Sequence, residues 1–237
     1  MSRLDPQFWS DYFKNVFSKQ ISDFYSLFSG RVLLTFSNIQ AEAESAAEQE
    51  WQRLMNKPAD EDEDMGSLAE QAEQVGISTF HTWETMRQSM VNLAVVALHH
   101  IFEQQILYFH RKQVLHHSEQ SDPKLIDMRE FKRRLSDAGV EYEALPSWRT
   151  IIELRLVANA VKHAEGCSAV ELRTLRPDLF EHPTLRKMSS LARIGIPEVF
   201  MPLSGEDIYL AADDLEAYQI GICKFWEEFA DAIRRTL

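Results

Sequence analysis

Apolar residues recur at helical spacing through most of this chain, and the pattern predicts a mainly α-helical protein. In residues 1–57, aromatic and aliphatic side chains three and four apart run up to Gly30, and a second helical run ends near Met55. From about Ser78 to about His116, apolar positions are nearly continuous around the helix, which is typical of the central helix of a bundle. A last amphipathic helix begins at Asp213 or Asp214. We therefore predict a helical bundle.

Two segments interrupt the helical pattern. Glu198–Met201 and Ile208–Leu210 favour strands, and Ser204–Asp207 suits a turn between them, so a small β-hairpin is predicted at about 198–210, before the C-terminal helix. The acidic run Asp60–Asp64 should remain solvated because its carboxylates repel one another; a site for a divalent metal or a basic partner is the alternative. The predicted regions are an N-terminal helical region (1–57), an acidic loop or linker (58–77) and the bundle core (78–237).

The most distinctive predicted helix lies between Pro146 and Gly166. Ser147 occupies a position that suits an N-terminal cap, and Gly166 suits a left-handed residue at the C-terminal end. One face of this helix is apolar and the opposite face is polar. The apolar face comprises Leu154, Leu156, Val157, Ala160, Val161 and Ala164. The polar face comprises Arg155, Asn159, Lys162 and His163, which are the candidate catalytic residues.

Each of these polar positions also has a purely structural interpretation. Lys162 and His163 stand in the last turn, where the helix dipole favours cations. Asn159 can bond to a neighbouring loop. On this interpretation the polar face only keeps the helix soluble and ordered.

A second polar group lies inside the long central helix. His99 and Glu103 are four residues apart, and His100 and Glu103 are three apart, so each pair can meet on the helix surface. Such a pair can share a proton or contribute to a metal site, although no motif supplies a further ligand. The alternative is a polar stripe where this helix meets its neighbours. No metal or other cofactor is therefore expected.

Charge and composition narrow the function classes. The net charge is −12, which argues against a broad nucleic-acid platform. Residues 104–163 nevertheless contain 10 Lys and Arg against 8 Asp and Glu, so the candidate helix lies in the least acidic part of the chain. The adjacent bases Lys132, Arg133 and Arg134 are either a solvated surface or a phosphate-contacting patch.

The remaining composition indicates a cytoplasmic protein. Its 2 cysteines lack metal-site spacing and are too few for a disulfide framework, which favours a reducing compartment. The N-terminus does not read as a signal peptide, and the longest uncharged apolar run, Leu93–Leu98, is too short to cross a bilayer.

The long apolar helix followed by a core helix with the pattern Asn-x-x-Lys-His-x-x-Gly resembles the HEPN superfamily over roughly residues 78–166. Members of that superfamily are helical-bundle proteins of toxin–antitoxin and anti-phage systems, and many are metal-independent ribonucleases. Their motif is an Arg followed after four to six residues by a His, and two protomers typically pair so that both motifs face one cleft. The resemblance implies RNA as a substrate and a homodimer or a defence-system protein as a partner, with no membrane association.

The resemblance also implies roles for the candidate residues. His163 would be the general acid or base, Arg155 would stabilise the charged transition state, and Asn159 and Lys162 would orient the phosphate or the imidazole. The chain departs from the pattern in two ways. Seven residues separate Arg155 from His163, and Leu156 follows the Arg at a position where the family often has a polar residue. The expected function is a HEPN-like ribonuclease acting as a dimer in a toxin or defence system. The alternative is a non-catalytic interaction or scaffold subunit with a degenerate site.

Overall fold

The computed structural model describes residues 5–57, 64–186 and 198–236, and the chain in these ranges is mainly helical, as predicted. The α-helices are α1 (Pro6–Tyr12), α2 (Lys19–Leu27), α3 (Ile39–Met55), α4 (Met65–Phe109), α5 (Met128–Asp137), α6 (Trp148–His163), α7 (Cys167–Leu175), α8 (Pro183–Arg186) and α9 (Ala212–Thr236). Short π-helical and 3₁₀ segments link several of them. None of the helices in the described ranges combines the length and the hydropathy that a membrane-spanning segment requires.

The long helix α4 is the central element of the fold. Its 45 residues extend over roughly 68 Å at 1.5 Å per residue. The C-terminal half lies in the main core, where Leu98 and Ile106 are fully buried. The N-terminal half pairs with α3 so closely that a Cβ added to Gly76 would lie 3.1 Å from the Ala43 carbonyl oxygen.

The start of α4 corrects the predicted start near Ser78. The Asp64 carboxylate accepts a hydrogen bond of 3.1 Å from the Gly66 N–H, which caps the helix at its N-terminus. Residues 65–77, which the sequence assigns to the acidic loop or linker, are consequently helical. The acidic run before Asp64 lies outside the described residues.

Aromatic side chains of the N-terminal region pack into the same core as α4 and α9. The Phe13 ring lies 4.7 Å from the Trp226 ring and 5.3 Å from the Phe109 ring, centroid to centroid. The Trp226 indole N–H donates to the Gln105 side-chain oxygen at 2.9 Å. The aromatic residues before α3 therefore contribute to the main core, whereas Leu54 of α3 packs with Leu68 and Ala72 of α4 in a second, smaller cluster.

The predicted β-hairpin at 198–210 is wrong, because the described residues contain no strand there. Several of its backbone groups pair with side chains, and others pair with backbone groups of Glu165 and Leu179, instead of with a second strand. The Asn92 side-chain amide of α4 donates to the carbonyl oxygens of Pro202 at 2.8 Å and Ile208 at 3.0 Å. The Asp207 carboxylate accepts the backbone N–H groups of Phe200 and Met201, each at 2.8 Å.

Candidate functional site

Helix α6 holds the predicted site residues against the core through its apolar face. Leu154, Val157 and Ala160 are fully buried, so that face packs inside the bundle as predicted. The polar face is thereby turned away from the core. The rigid position of α6 fixes where Arg155, Asn159, Lys162 and His163 emerge.

The two ends of α6 differ from their predicted chemistry. Ser147 does not cap the helix, since its N–H and its hydroxyl both donate to the Glu228 carboxylate of α9, at 3.0 and 2.6 Å. The left-handed turn falls on Ala164, with φ of 58°, whereas Gly166 is extended with φ of 165°. The helix therefore ends at a strained alanine, and Gly166 is the N-cap residue that precedes α7.

The four predicted site residues have different surroundings. Arg155 and His163 are exposed, and Asn159 and Lys162 are half-buried. Lys162 forms a contact with α4, where its Nζ lies 3.2 Å from Nε2 of His100. Within the described chain, no hydrogen bond or ion pair joins His163 to Arg155, Asn159 or Lys162.

Lys162 meets the second polar group that the sequence singled out. Nδ1 of His100 lies 2.9 Å from Oε2 of Glu103. An ionised carboxylate only accepts hydrogen bonds, so Nδ1 of His100 carries the proton and Nε2 keeps its lone pair. The Lys162 ammonium then donates to that lone pair. Glu103, His100 and Lys162 thus form one continuous hydrogen-bonded chain from α4 to α6.

His99 is the buried member of the α4 group. Its side chain is 5% exposed, and its Nδ1 lies 3.4 Å from Oε2 of Glu103 without hydrogen-bond geometry. Burial lowers the pKa of His99 to about 4; nearby Glu103 partly opposes this shift, while Lys162 and Arg155 add to it. His99 is therefore neutral at pH 7, and Lys162 and Arg155 of α6 lie close enough to affect it.

A cleft of about 320 Å³ opens beside this group, between α4, α5 and the start of α6. Its apolar lining includes the rings of Tyr142 and Trp148, which meet edge to face at 4.9 Å. Its polar lining includes His99, Glu103 and Arg155. Aromatic faces beside cationic groups suit a nucleobase joined to a phosphate.

The basic run on α5, for which the sequence allows either a solvated surface or a phosphate-contacting patch, is paired with carboxylates. Arg134 pairs with Glu119 at 2.7 Å and with Glu130 at 2.6 Å, and Arg133 pairs with Glu130 and Asp137. Lys132 likewise has a carboxylate partner, Glu143, at 2.6 Å. The positive charges of this run are therefore largely neutralised by neighbouring carboxylates.

The α4 and α6 groups are separate in the sequence, and the structure brings His100 and Lys162 into contact. The signal available in the sequence was the His-His-x-x-Glu spacing, which places three donor groups on one turn. The same three side chains can hold a metal ion, since their ligand atoms lie within 4.8 Å of one another. The contribution of Tyr142 and Trp148 to the cleft had no comparable signal in the sequence.

Comparisons with protein-family models, curated proteins and solved structures found no match to this chain. Membership of the HEPN superfamily therefore stays a prediction, based on the long apolar helix and the pattern from Asn159 to Gly166.

Proposed function

We propose that this protein cleaves RNA without a metal ion, at the seam between α4 and α6. The observation that carries the proposal is the chain of contacts Glu103–His100–Lys162, with an imidazole between a carboxylate and an ammonium group. This arrangement orients a base and places a cation beside it, which are the two requirements for moving a proton at a phosphodiester.

The proposed reaction uses the ribose 2′-hydroxyl as its nucleophile. On RNA binding, Lys162 turns from Nε2 of His100 to a phosphate oxygen, which frees the Nε2 lone pair. His100 then accepts the 2′-hydroxyl proton while the bond from O2′ to phosphorus forms. The bond from phosphorus to O5′ breaks, and O5′ takes a proton from His163 acting as the general acid, leaving a 2′,3′-cyclic phosphate.

The remaining cations support the charged transition state. Arg155 lines the cleft next to His99 and Glu103, and within the described residues it has no carboxylate partner. Its guanidinium is free to bind a phosphate oxygen with two hydrogen bonds. Trp148, which is half-buried, offers a ring face for an adjoining base, and the buried Tyr142 supports it edge to face. A place in a toxin or phage-defence system, and a homodimeric state, rest on the HEPN resemblance alone.

The test is cleavage of a single-stranded RNA oligonucleotide bearing a fluorophore and a quencher, in the presence of EDTA. We expect wild-type protein to cleave it and to leave intact the same oligonucleotide made of deoxynucleotides. His100→Ala should lower the rate by about 100-fold or more, because it removes the general base. Lys162→Ala should lower the rate by about 100-fold, because it removes the cation that binds the phosphate.

The matched control is His117→Ala, since His117 is exposed and remote in sequence from the seam. It should cleave at the wild-type rate. Cleavage by His100→Ala at the wild-type rate would exclude this mechanism. If wild-type protein cleaves no RNA, the non-catalytic interaction subunit becomes the better description, and the net charge of −12 favours a protein partner over nucleic acid in that case.

A further inference from the structure

One turn of α4 carries three side chains whose donor atoms suit metal coordination as well as acid–base chemistry. Oε2 of Glu103 lies 2.9 Å from Nδ1 of His100 and 3.4 Å from Nδ1 of His99. The ligand atoms of all three residues lie within 4.8 Å of one another. Two imidazoles and one carboxylate form a donor set that zinc takes in proteins, with an open fourth position.

An independent observation at His99 also indicates a ligand. This side chain is 5% exposed, and its Nδ1 has no hydrogen-bond partner, although a buried polar nitrogen ordinarily has one. The atom faces Glu103 and thus the centre of the donor set. A cation held between His99 and Glu103 would satisfy it.

We propose that His99, His100 and Glu103 bind one Zn²⁺ ion, with water in the fourth position on the cleft side. Zinc fits better than magnesium or calcium, because those two ions prefer oxygen ligands and two of the three donors here are nitrogens. Zinc binding stands apart from the proposed RNA cleavage. Only the effect of zinc on cleavage rests on that function.

Zinc at this position would inhibit the proposed reaction. A neutral imidazole has one ring-nitrogen lone pair, and in the free protein it lies on Nε2 of His100. Coordination through Nδ1 moves the proton to Nε2, which then cannot accept the 2′-hydroxyl proton. Zinc would therefore switch cleavage off, and a chelator would restore it.

The positive charges near the donor set lead us to a specific prediction about Lys162. Lys162 and Arg155 both lie near the donors and oppose a divalent cation. Once zinc moves the proton to Nε2, the Lys162 ammonium also faces a donor in place of an acceptor, so Lys162 has to turn away. Replacing Lys162 with Met removes both the positive charge and the contact between two hydrogen-bond donors. We therefore expect Lys162→Met to bind zinc about 10-fold more tightly than wild type.

The experiment titrates ZnCl₂ into the full chain, after removal of metals with EDTA, by isothermal calorimetry at pH 7.5. Wild-type protein should bind one equivalent, and MgCl₂ should produce no comparable binding. His99→Ala and His100→Ala should each weaken zinc binding about 100-fold, since each removes a ligand. Circular dichroism shows whether both variants fold; His100 is half-exposed, so its loss does not open the core.

His117→Ala is again the control and should bind zinc as wild type does. No zinc binding by wild-type protein overturns the inference, as does unchanged binding by both His99→Ala and His100→Ala. Weaker binding by Lys162→Met than by wild type also contradicts it. Zinc binding without any RNA cleavage refutes the proposed function and leaves the zinc site standing, whereas cleavage without zinc binding refutes the zinc site alone.

Discussion

At the scale of single residues, the most informative position is Ala164, where α6 ends next to the candidate site. Its φ of 58° and ψ of −137° fall in a region that favours glycine over residues with a Cβ. Such a conformation costs roughly 1–3 kcal/mol and persists only where its surroundings impose it. Here the next residue, Glu165, accepts the Val199 N–H at 2.9 Å and donates its own N–H to the Val199 carbonyl oxygen at 3.0 Å.

Ala164→Gly should therefore stabilise the protein by about 1 kcal/mol, because relief of strain exceeds the added entropy of the unfolded chain. Urea unfolding followed by circular dichroism measures the change. Ala217→Gly is the matched control, since Ala217 is solvent-exposed and lies away from both ends of α9. This variant should lower the free energy of unfolding by about 1 kcal/mol. Equal losses in both variants would show that Ala164 is unstrained.

At the scale of elements, the contact between α4 and the segment from Phe200 to Leu210 decides the local structure. Asn92 is fully buried and bonds to two carbonyl oxygens of that segment. Gly205 lies so close to α4 that an added Cβ would come within 2.2 Å of the Thr85 carbonyl oxygen, and its φ is +82°. The strand-like composition of this segment was outweighed by hydrogen bonds and close packing to a helix distant in sequence.

Asn92→Leu should destabilise the protein by about 2–4 kcal/mol, because it leaves two buried carbonyl oxygens without donors. The free energy of unfolding in urea measures this loss. Asn15→Ala serves as a control at an exposed position and should change stability by less than about 0.5 kcal/mol. A comparably small effect of Asn92→Leu would mean that the segment does not depend on α4.

At the scale of the whole molecule, the aromatic side chains of the N-terminal region join the core formed by α4 and α9. Phe13 is 1% exposed and contacts rings of both helices. Trp9, at 5% exposure, donates its indole N–H to Gln113 at 2.8 Å. The N-terminal region and the bundle core should therefore unfold together.

Phe13→Ala should lower the free energy of unfolding by about 3–5 kcal/mol, since it opens a cavity in the shared core. Tryptophan fluorescence and circular dichroism should report one coincident transition for wild type and variant alike. Phe8→Ala provides the comparison. Because Phe8 is 54% exposed, this variant should lower the free energy of unfolding by no more than about 1 kcal/mol. Two separate transitions, with only one shifted in Phe13→Ala, would show that the N-terminal region is an independent domain.

The sequence by itself determined the helical class and the buried face of α6, because both follow from the periodicity of apolar residues along a single element. It also identified both groups of polar residues that the structure joins, since their spacing of three and four residues is a property of one helix. Tertiary structure alone decided that Lys162 contacts His100, that Asn92 replaces a strand partner at 198–210, and that the left-handed turn falls on Ala164 and not on Gly166. Each of these depends on groups from elements far apart in the chain, and periodicity within one element contains no information about them.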